Sequence, residues 1–93
     1  MIVSFSIPGP LRPLTCGQSQ VDVNACGSTL GDALEALFAA YPGIHDRVLT
    51  EQREIRQHVN IFVGTSEART LGGLATPLAD GTEISIIPAI SGG

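Results

Sequence analysis

The stretch LATPLADGTEISIIPAISGG (Leu74–Gly93) decides the fold, because it joins a turn, a strand and a glycine pair in one segment. Asp80-Gly81 is a typical tight-turn pair. In the strand that follows, Ile84 and Ile86 are expected to face inward. Pro88 is expected to end the pairing, because proline has no backbone N–H to donate. The segment therefore predicts a final β-strand that leads into a short tail.

Alternation of apolar and polar residues predicts further strands before this one. IVSFSI (2–7) and QVDVNA (20–25) form a predicted hairpin around a proline-rich loop, and HVNIFVG (58–64) is a third strand. TSE is expected to turn the chain toward a short segment at 68–71, where a further strand would lie. Residues 44–57 are expected to form a turn or short helix and an exposed loop.

One main helix is predicted between the hairpin and the third strand. Thr29 is a plausible N-cap, and Asp32 completes a short capping box. Pro42-Gly43 ends the helix. The apolar residues recur on one face, as in a helix laid across a sheet: Leu30, Leu34, Leu37, Phe38 and Tyr41. The predicted order is β-β-α-β-(β)-β, a mixed sheet covered by one helix.

Composition limits the class of protein. The chain has 93 residues and a net charge of −4, which predicts one small domain, 1–93. All five basic residues are arginine and none form a basic run, which argues against nucleic acid and membrane partners. No apolar stretch is long enough to span a bilayer and no signal peptide is visible, so a cytoplasmic protein is expected.

The cysteines and histidines are not expected to form a site. The predicted hairpin separates Cys16 from Cys26 by roughly 17–20 Å, beyond the reach of a disulfide. His45 and His58 lack companions at metal-ligand spacing, so no metal is expected. Gly72-Gly73 is expected to form a turn with positive φ.

The candidate functional segment is an extended tail, 88–93. Six residues span about 20 Å, and glycines without a Cβ pass through narrow channels. The functional group at the tip would be the α-carboxylate of Gly93, which reacts with nucleophiles only after activation. The sequence offers no P-loop and no nucleophile–base pair for that activation. We therefore expect a protein substrate that other enzymes act on, not an enzyme.

Phe62 and Ile87, with Ile90, form a candidate docking patch for partners beside the tail. The alternative is that these side chains complete the core.

The C-terminal segment resembles the ubiquitin-like sulfur-carrier family of MoaD and ThiS proteins. Its signature, L-x-DGD-x-V-x-I-x-P-x-x-x-GG, aligns with Asp80-Gly81 and with Pro88–Gly93, while Thr82 stands where aspartate is common. Similarity extends to SIPGPLRPLT, STLGDALEAL, YPGI and HVNIFVG, which favours the branch that supplies sulfur for cysteine synthesis. The resemblance implies an α+β, β-grasp (ubiquitin-like) fold with four or five strands, one main helix and a flexible Gly-Gly tail.

The resemblance also implies a reaction cycle on partner enzymes. An E1-like enzyme of the MoeB/MoeZ type would adenylate Gly93 with ATP and replace the adenylate with sulfur, leaving a thiocarboxylate. A PLP-dependent cysteine synthase of the CysM type would present an aminoacrylate made from O-phosphoserine. A zinc JAMM-type metallopeptidase would release the cysteine. Partners would recognise the tail through Pro88, Ala89, Ile90, Ser91 and Gly92, and ATP, PLP and zinc would be bound by them and not by this chain.

Two alternatives remain open. The same chemistry serves other products, as in the small subunit of molybdopterin synthase or in carriers for thiamin and other sulfur-containing compounds. A different class is a ubiquitin-like protein modifier or binding module. The absence of lysine means that the chain could not form lysine-linked chains on itself. The sulfur donor and the oligomeric state are not determined by the sequence.

Overall fold

The computed structural model describes residues 1–88, which form a five-stranded mixed sheet with one main helix. The strands are β1 (Ile2–Ser6), β2 (Gln20–Asn24), β3 (Val59–Val63), β4 (Ser66–Glu67) and β5 (Glu83–Pro88). The helices are α1 (Leu30–Ala40), α2 (His45–Val48) and α3 (Ala68–Leu71). Three 3-10 turns lie at Gly9–Thr15, Pro42–Ile44 and Gly73–Ala75. Ala89–Gly93, most of the predicted tail, lie outside the described residues.

The strand order is β2-β1-β5-β3-β4, so the last strand lies in the centre of the sheet. β5 runs parallel to β1, with Ser4 opposite Glu83, and antiparallel to β3, with Ile61 opposite Ile86. β1 pairs with β2 as the predicted antiparallel hairpin. The central position means that β5 is held from both sides.

The core lies between one face of the sheet and α1. The alternation predicted for each strand is confirmed, since the inward residues are between 0% and 7% exposed: Val3, Phe5, Val21, Val23, Val59, Ile61, Ile84 and Ile86. The helix contributes Leu30, Leu34, Leu37 and Phe38 to the same core, also as predicted. The segment that contains α2 adds three more buried side chains to the core, Ile44, Val48 and Leu49.

The start of α1 carries the predicted capping box. The Thr29 side chain accepts a hydrogen bond from the Asp32 N–H at 3.2 Å, and the Asp32 carboxylate accepts one from the Thr29 N–H at 3.2 Å. Each bond satisfies a backbone N–H that the first helical turn leaves without a partner.

The prediction for the segment after β3 was wrong in its position. The turn lies at Gly64-Thr65, and Ser66–Glu67 already form β4, opposite Phe62 and Val63. Residues 68–71 are a helical turn, α3, and not a strand. Gly64 has a φ of 64°, so the turn begins one residue before the TSE motif.

The Asp80-Gly81 turn is confirmed. It directly precedes β5 and is hydrogen-bonded to Ile2 at the start of β1. Gly81 has a φ of 86° and donates its N–H to the Ile2 carbonyl at 2.7 Å. The Asp80 carboxylate accepts the Ile2 N–H at 2.7 Å. Thr82, the departure from the family signature, closes the turn by donating its hydroxyl to the Ala79 carbonyl at 2.6 Å. The turn therefore places β5 beside β1 before the strand begins.

Candidate functional site

The candidate site is the end of β5, where the chain leaves the sheet. On one side, β5 pairs with β3 as far as its last residue, with Val59 opposite Pro88. On the other side, the pairing with β1 stops at Ser85, opposite Ser6. The predicted tail residue Pro88 thus lies in β5, and Ala89, Ile90, Ser91, Gly92 and Gly93 lie outside the described residues.

The candidate docking residues Phe62 and Ile87 lie on the sheet face opposite the core. Phe62 is opposite Ser85 and Ile87 is opposite Asn60, so the two side chains are diagonal neighbours on adjacent strands. Such diagonal pairs are about 7–8 Å apart. Ile87 is 45% exposed and Phe62 is half-buried. The structure therefore brings the two together, and Ile87 does not complete the core.

Small polar side chains surround this apolar pair on the open face. Ser4, Ser6 and Ser85 line a shallow groove of about 220 Å³ together with Gln20 and Glu83. The Ser4 hydroxyl donates to the Asp22 carboxylate at 2.6 Å. Because Ile87 is exposed on this face, a partner has direct access to it.

A second surface lies at the edge of the core face of the sheet, and the sequence did not predict it. We call it the basic groove: Arg47, Arg56 and His58 line a space of about 410 Å³ above the apolar side chains of Val59 and Ile86. The sequence predicted no metal site at His58 and only an exposed loop before it. The signal in the sequence was the position of four of the five arginines between residues 47 and 69.

The structure does not place His45, Cys16 or Cys26 in a functional site. The His45 ring packs edge-on against Phe38 at a centroid distance of 4.9 Å, and its Nδ1 lies 2.9 Å from the Asp46 carboxylate. Cys16 and Cys26 are both exposed and unpaired, as predicted. Over residues 1–88 there is no group of three or more potential metal-ligating side chains, and no helix is long and apolar enough to cross a membrane.

Comparison with known proteins gives consistent results for sequence and structure. A family described as the ThiS family matches residues 5–93. The sulfur carrier protein CysO of Mycobacterium tuberculosis is 43% identical over 95 residues, which span 100% of both chains. Small archaeal modifier protein 3 of Haloferax volcanii is 39% identical over 66 residues, 71% of each chain.

Among solved structures, the crystal structure of the Amycolatopsis orientalis BexX/CysO complex contains a similar chain. That chain has a TM-score of 0.86 and 32% sequence identity, and the match covers 98% of this protein and 99% of the other. The β-grasp fold expected from the sequence is thereby confirmed. Since the family match covers nearly the whole chain and a full-length relative is 43% identical, this protein belongs to the ThiS family.

Proposed function

We propose that this protein is a sulfur carrier that works through the carboxylate of Gly93. The observation that supports the proposal most strongly is the full-length similarity to a sulfur carrier, with a family match that runs to residue 93. The fold is suited to this role, because β5 is a central strand held on both sides and ends at the root of the tail. Five residues beyond Pro88 reach at most about 17 Å, enough to enter a partner's active site.

The proposed loading takes two steps on an E1-like enzyme of the MoeB/MoeZ type. A carboxylate oxygen of Gly93 attacks the α-phosphorus of ATP, which forms an acyl-adenylate and releases pyrophosphate. Sulfide (HS⁻) then attacks the acyl carbon, and AMP leaves with the C–O electron pair. The product is a thiocarboxylate whose sulfur is a stronger nucleophile than the carboxylate it replaces.

We propose cysteine synthesis as the destination of the sulfur, since the similar carriers from Mycobacterium and Amycolatopsis are both CysO proteins. A PLP-dependent synthase of the CysM type eliminates phosphate from O-phosphoserine, and the thiocarboxylate sulfur adds to the resulting aminoacrylate. An S-to-N acyl shift then joins cysteine to Gly93 by an amide bond. Hydrolysis by a JAMM-type zinc metallopeptidase releases cysteine and restores the carboxylate. The proposed cycle is cytoplasmic, where ATP is supplied.

Intact mass spectrometry tests each step. Incubation with the E1-like enzyme, ATP and a sulfide source should add the mass difference between sulfur and oxygen. Addition of the synthase and O-phosphoserine should then bring the total mass increase over the unloaded chain to that of one cysteine residue. Trypsin locates the adduct cleanly, because the last arginine is Arg69 and the peptide 70–93 contains no cysteine side chain of its own. An adduct found instead on the peptide that carries Cys16 and Cys26 would contradict the proposal.

A separate experiment tests which product receives the sulfur. If the loaded protein ignores the synthase but converts precursor to molybdopterin with a large subunit, the cysteine assignment is wrong and the carrier function stands. If no E1-like enzyme loads the protein, the carrier function is wrong as well.

A second candidate function is protein modification, favoured by the 39% identity to an archaeal modifier. In that case Gly93 would form isopeptide bonds with lysines of target proteins. Expression of a tagged chain in its native cell, followed by proteomic mapping of lysines that carry the tryptic remnant 70–93, distinguishes the two. A pure carrier gives no Gly93-dependent remnants, whereas a modifier gives remnants that disappear when Gly93 is deleted.

A further inference from the structure

We propose that the basic groove docks an acidic segment of the enzyme that activates the tail. This inference rests on the proposed carrier function and names a contact that this function would require. The groove is lined by Arg47, Arg56 and His58 and lies above Val59 and Ile86.

The position of the groove connects it to the tail. Val59 is 5% exposed and lies opposite Pro88, the last residue of β5, and Ile86 is 2% exposed two residues before it. The groove therefore opens where the chain leaves the sheet. It lies on the core side of the sheet, whereas Phe62 and Ile87 lie on the open side. An enzyme that encloses the tail would meet both surfaces.

The two arginines of the groove form no ion pair with a carboxylate among residues 1–88. Arg53 forms an ion pair with Glu35, and Arg69 lies 3.4 Å from the Glu67 carboxylate. The Arg47 side chain, in contrast, forms no ion pair with the residues up to 88. Arg56 uses its Nε to bind the Asp46 carbonyl at 2.5 Å and has no carboxylate partner among the same residues.

Asp46 is the carboxylate among the residues that line the groove, so the two arginines and Asp46 together leave a formal charge of +1 there. The Oδ1 of Asp46 lies 2.9 Å from His45 Nδ1. Two arginines without carboxylate partners thus sit together on a chain whose net charge is −4. A local positive surface of this kind attracts acidic groups and aligns the approaching partner.

The chemistry of the groove favours a protein segment over a nucleotide. Planar guanidinium groups bind carboxylates in a bidentate manner, and the apolar side chains below them suit the stems of Asp or Glu and their neighbours. Guanidinium groups also bind phosphates, but the convergent backbone N–H groups that hold a triphosphate at a helix N-terminus are lacking in α2, which has four residues. Arg47, Arg56 and His58 are all exposed, as expected for a rim that forms a transient, salt-sensitive contact.

The test is a pair of charge-reversal variants, Arg47→Glu in the groove and Arg53→Glu away from it. Both change the net charge from −4 to −6, since each replaces one positive charge by one negative charge. The readout is pyrophosphate release by the E1-like enzyme as a function of carrier concentration. Arg47→Glu should raise the KM for the carrier roughly tenfold at ~50 mM salt with kcat unchanged, and the difference should shrink at ~0.5 M salt. Arg53→Glu should stay within about twofold of the parent chain, as should the melting temperatures of both variants.

Three results would overturn the inference, and they are distinguishable. An unchanged KM for Arg47→Glu at low salt removes the groove as a docking site, while turnover of the parent chain keeps the carrier function. No pyrophosphate release with the parent chain removes both. In a nuclear magnetic resonance titration, hexaglutamate should shift the amides of Arg47 and Arg56, and shifts with ATP alone but not with hexaglutamate would assign the groove to a nucleotide instead.

Discussion

Replacement of Ile87 by serine should weaken docking without weakening the fold. Full burial of an isoleucine side chain is worth about 1.5–3 kcal/mol. Ile87 is 45% exposed, so a partner that covers it gains about half of this, roughly 1 kcal/mol. Loss of that contribution corresponds to an affinity about fivefold weaker. Isothermal titration calorimetry with the E1-like enzyme measures the change, and thermal denaturation should show a melting temperature close to that of the parent chain.

Ile2 provides a matched control on the same face of the sheet. It is 51% exposed, and the parallel pairing of Ser4 with Glu83 places it at the opposite end, about 20 Å from Ile87. Ile2→Ser should therefore leave the affinity for the enzyme unchanged.

Two results would refute the reasoning about Ile87. Equal losses of affinity for Ile87→Ser and Ile2→Ser would mean that the whole face, and not the end of β5, contacts the enzyme. A loss of stability like that of Ile84→Ala, a 0% exposed core position expected to cost about 2–5 kcal/mol, would mean that Ile87 is structural.

The other predictions concern the tail, the helix cap and the turn. Gly92→Val should abolish sulfur loading in the mass assay, with a melting temperature within about 2 °C of the parent, and a large drop would show that the glycines are packed. Thr29→Ala removes the capping box and should lower the free energy of unfolding by about 1 kcal/mol in urea titrations, with an unchanged value contradicting the cap. Gly81→Ala meets no atom within 4 Å but must hold a φ of 86°, so strain alone should cost about 1 kcal/mol by the same titration, and a neutral result would place the turn in another conformation. The pure protein should release no pyrophosphate from ATP, and release by the isolated chain would contradict the carrier reading.

The elements that sequence predicted well are those whose signal is local. Alternation in β1, β2, β3 and β5 reports which side of a strand is buried, and the stripe along α1 does the same for a helix. The capping box and the Asp80-Gly81 turn are also local, because each is completed within four residues. The position of β4 was missed because a single glycine, Gly64, adopts positive φ, and the sequence around it also suited a later turn.

The sequence by itself determined the order of the four long strands and α1, the inward faces and the family to which the chain belongs, and it predicted a carrier whose site is the tail. Only the tertiary structure decided that β5 is central, that Ile87 is exposed beside Phe62, and that Arg47 and Arg56 share a groove with Ile86. The physical reason is that periodicity reports the burial of each segment separately. Strand order and grooves depend on contacts between segments far apart in the chain, such as Val59 with Pro88, and no local pattern records those contacts.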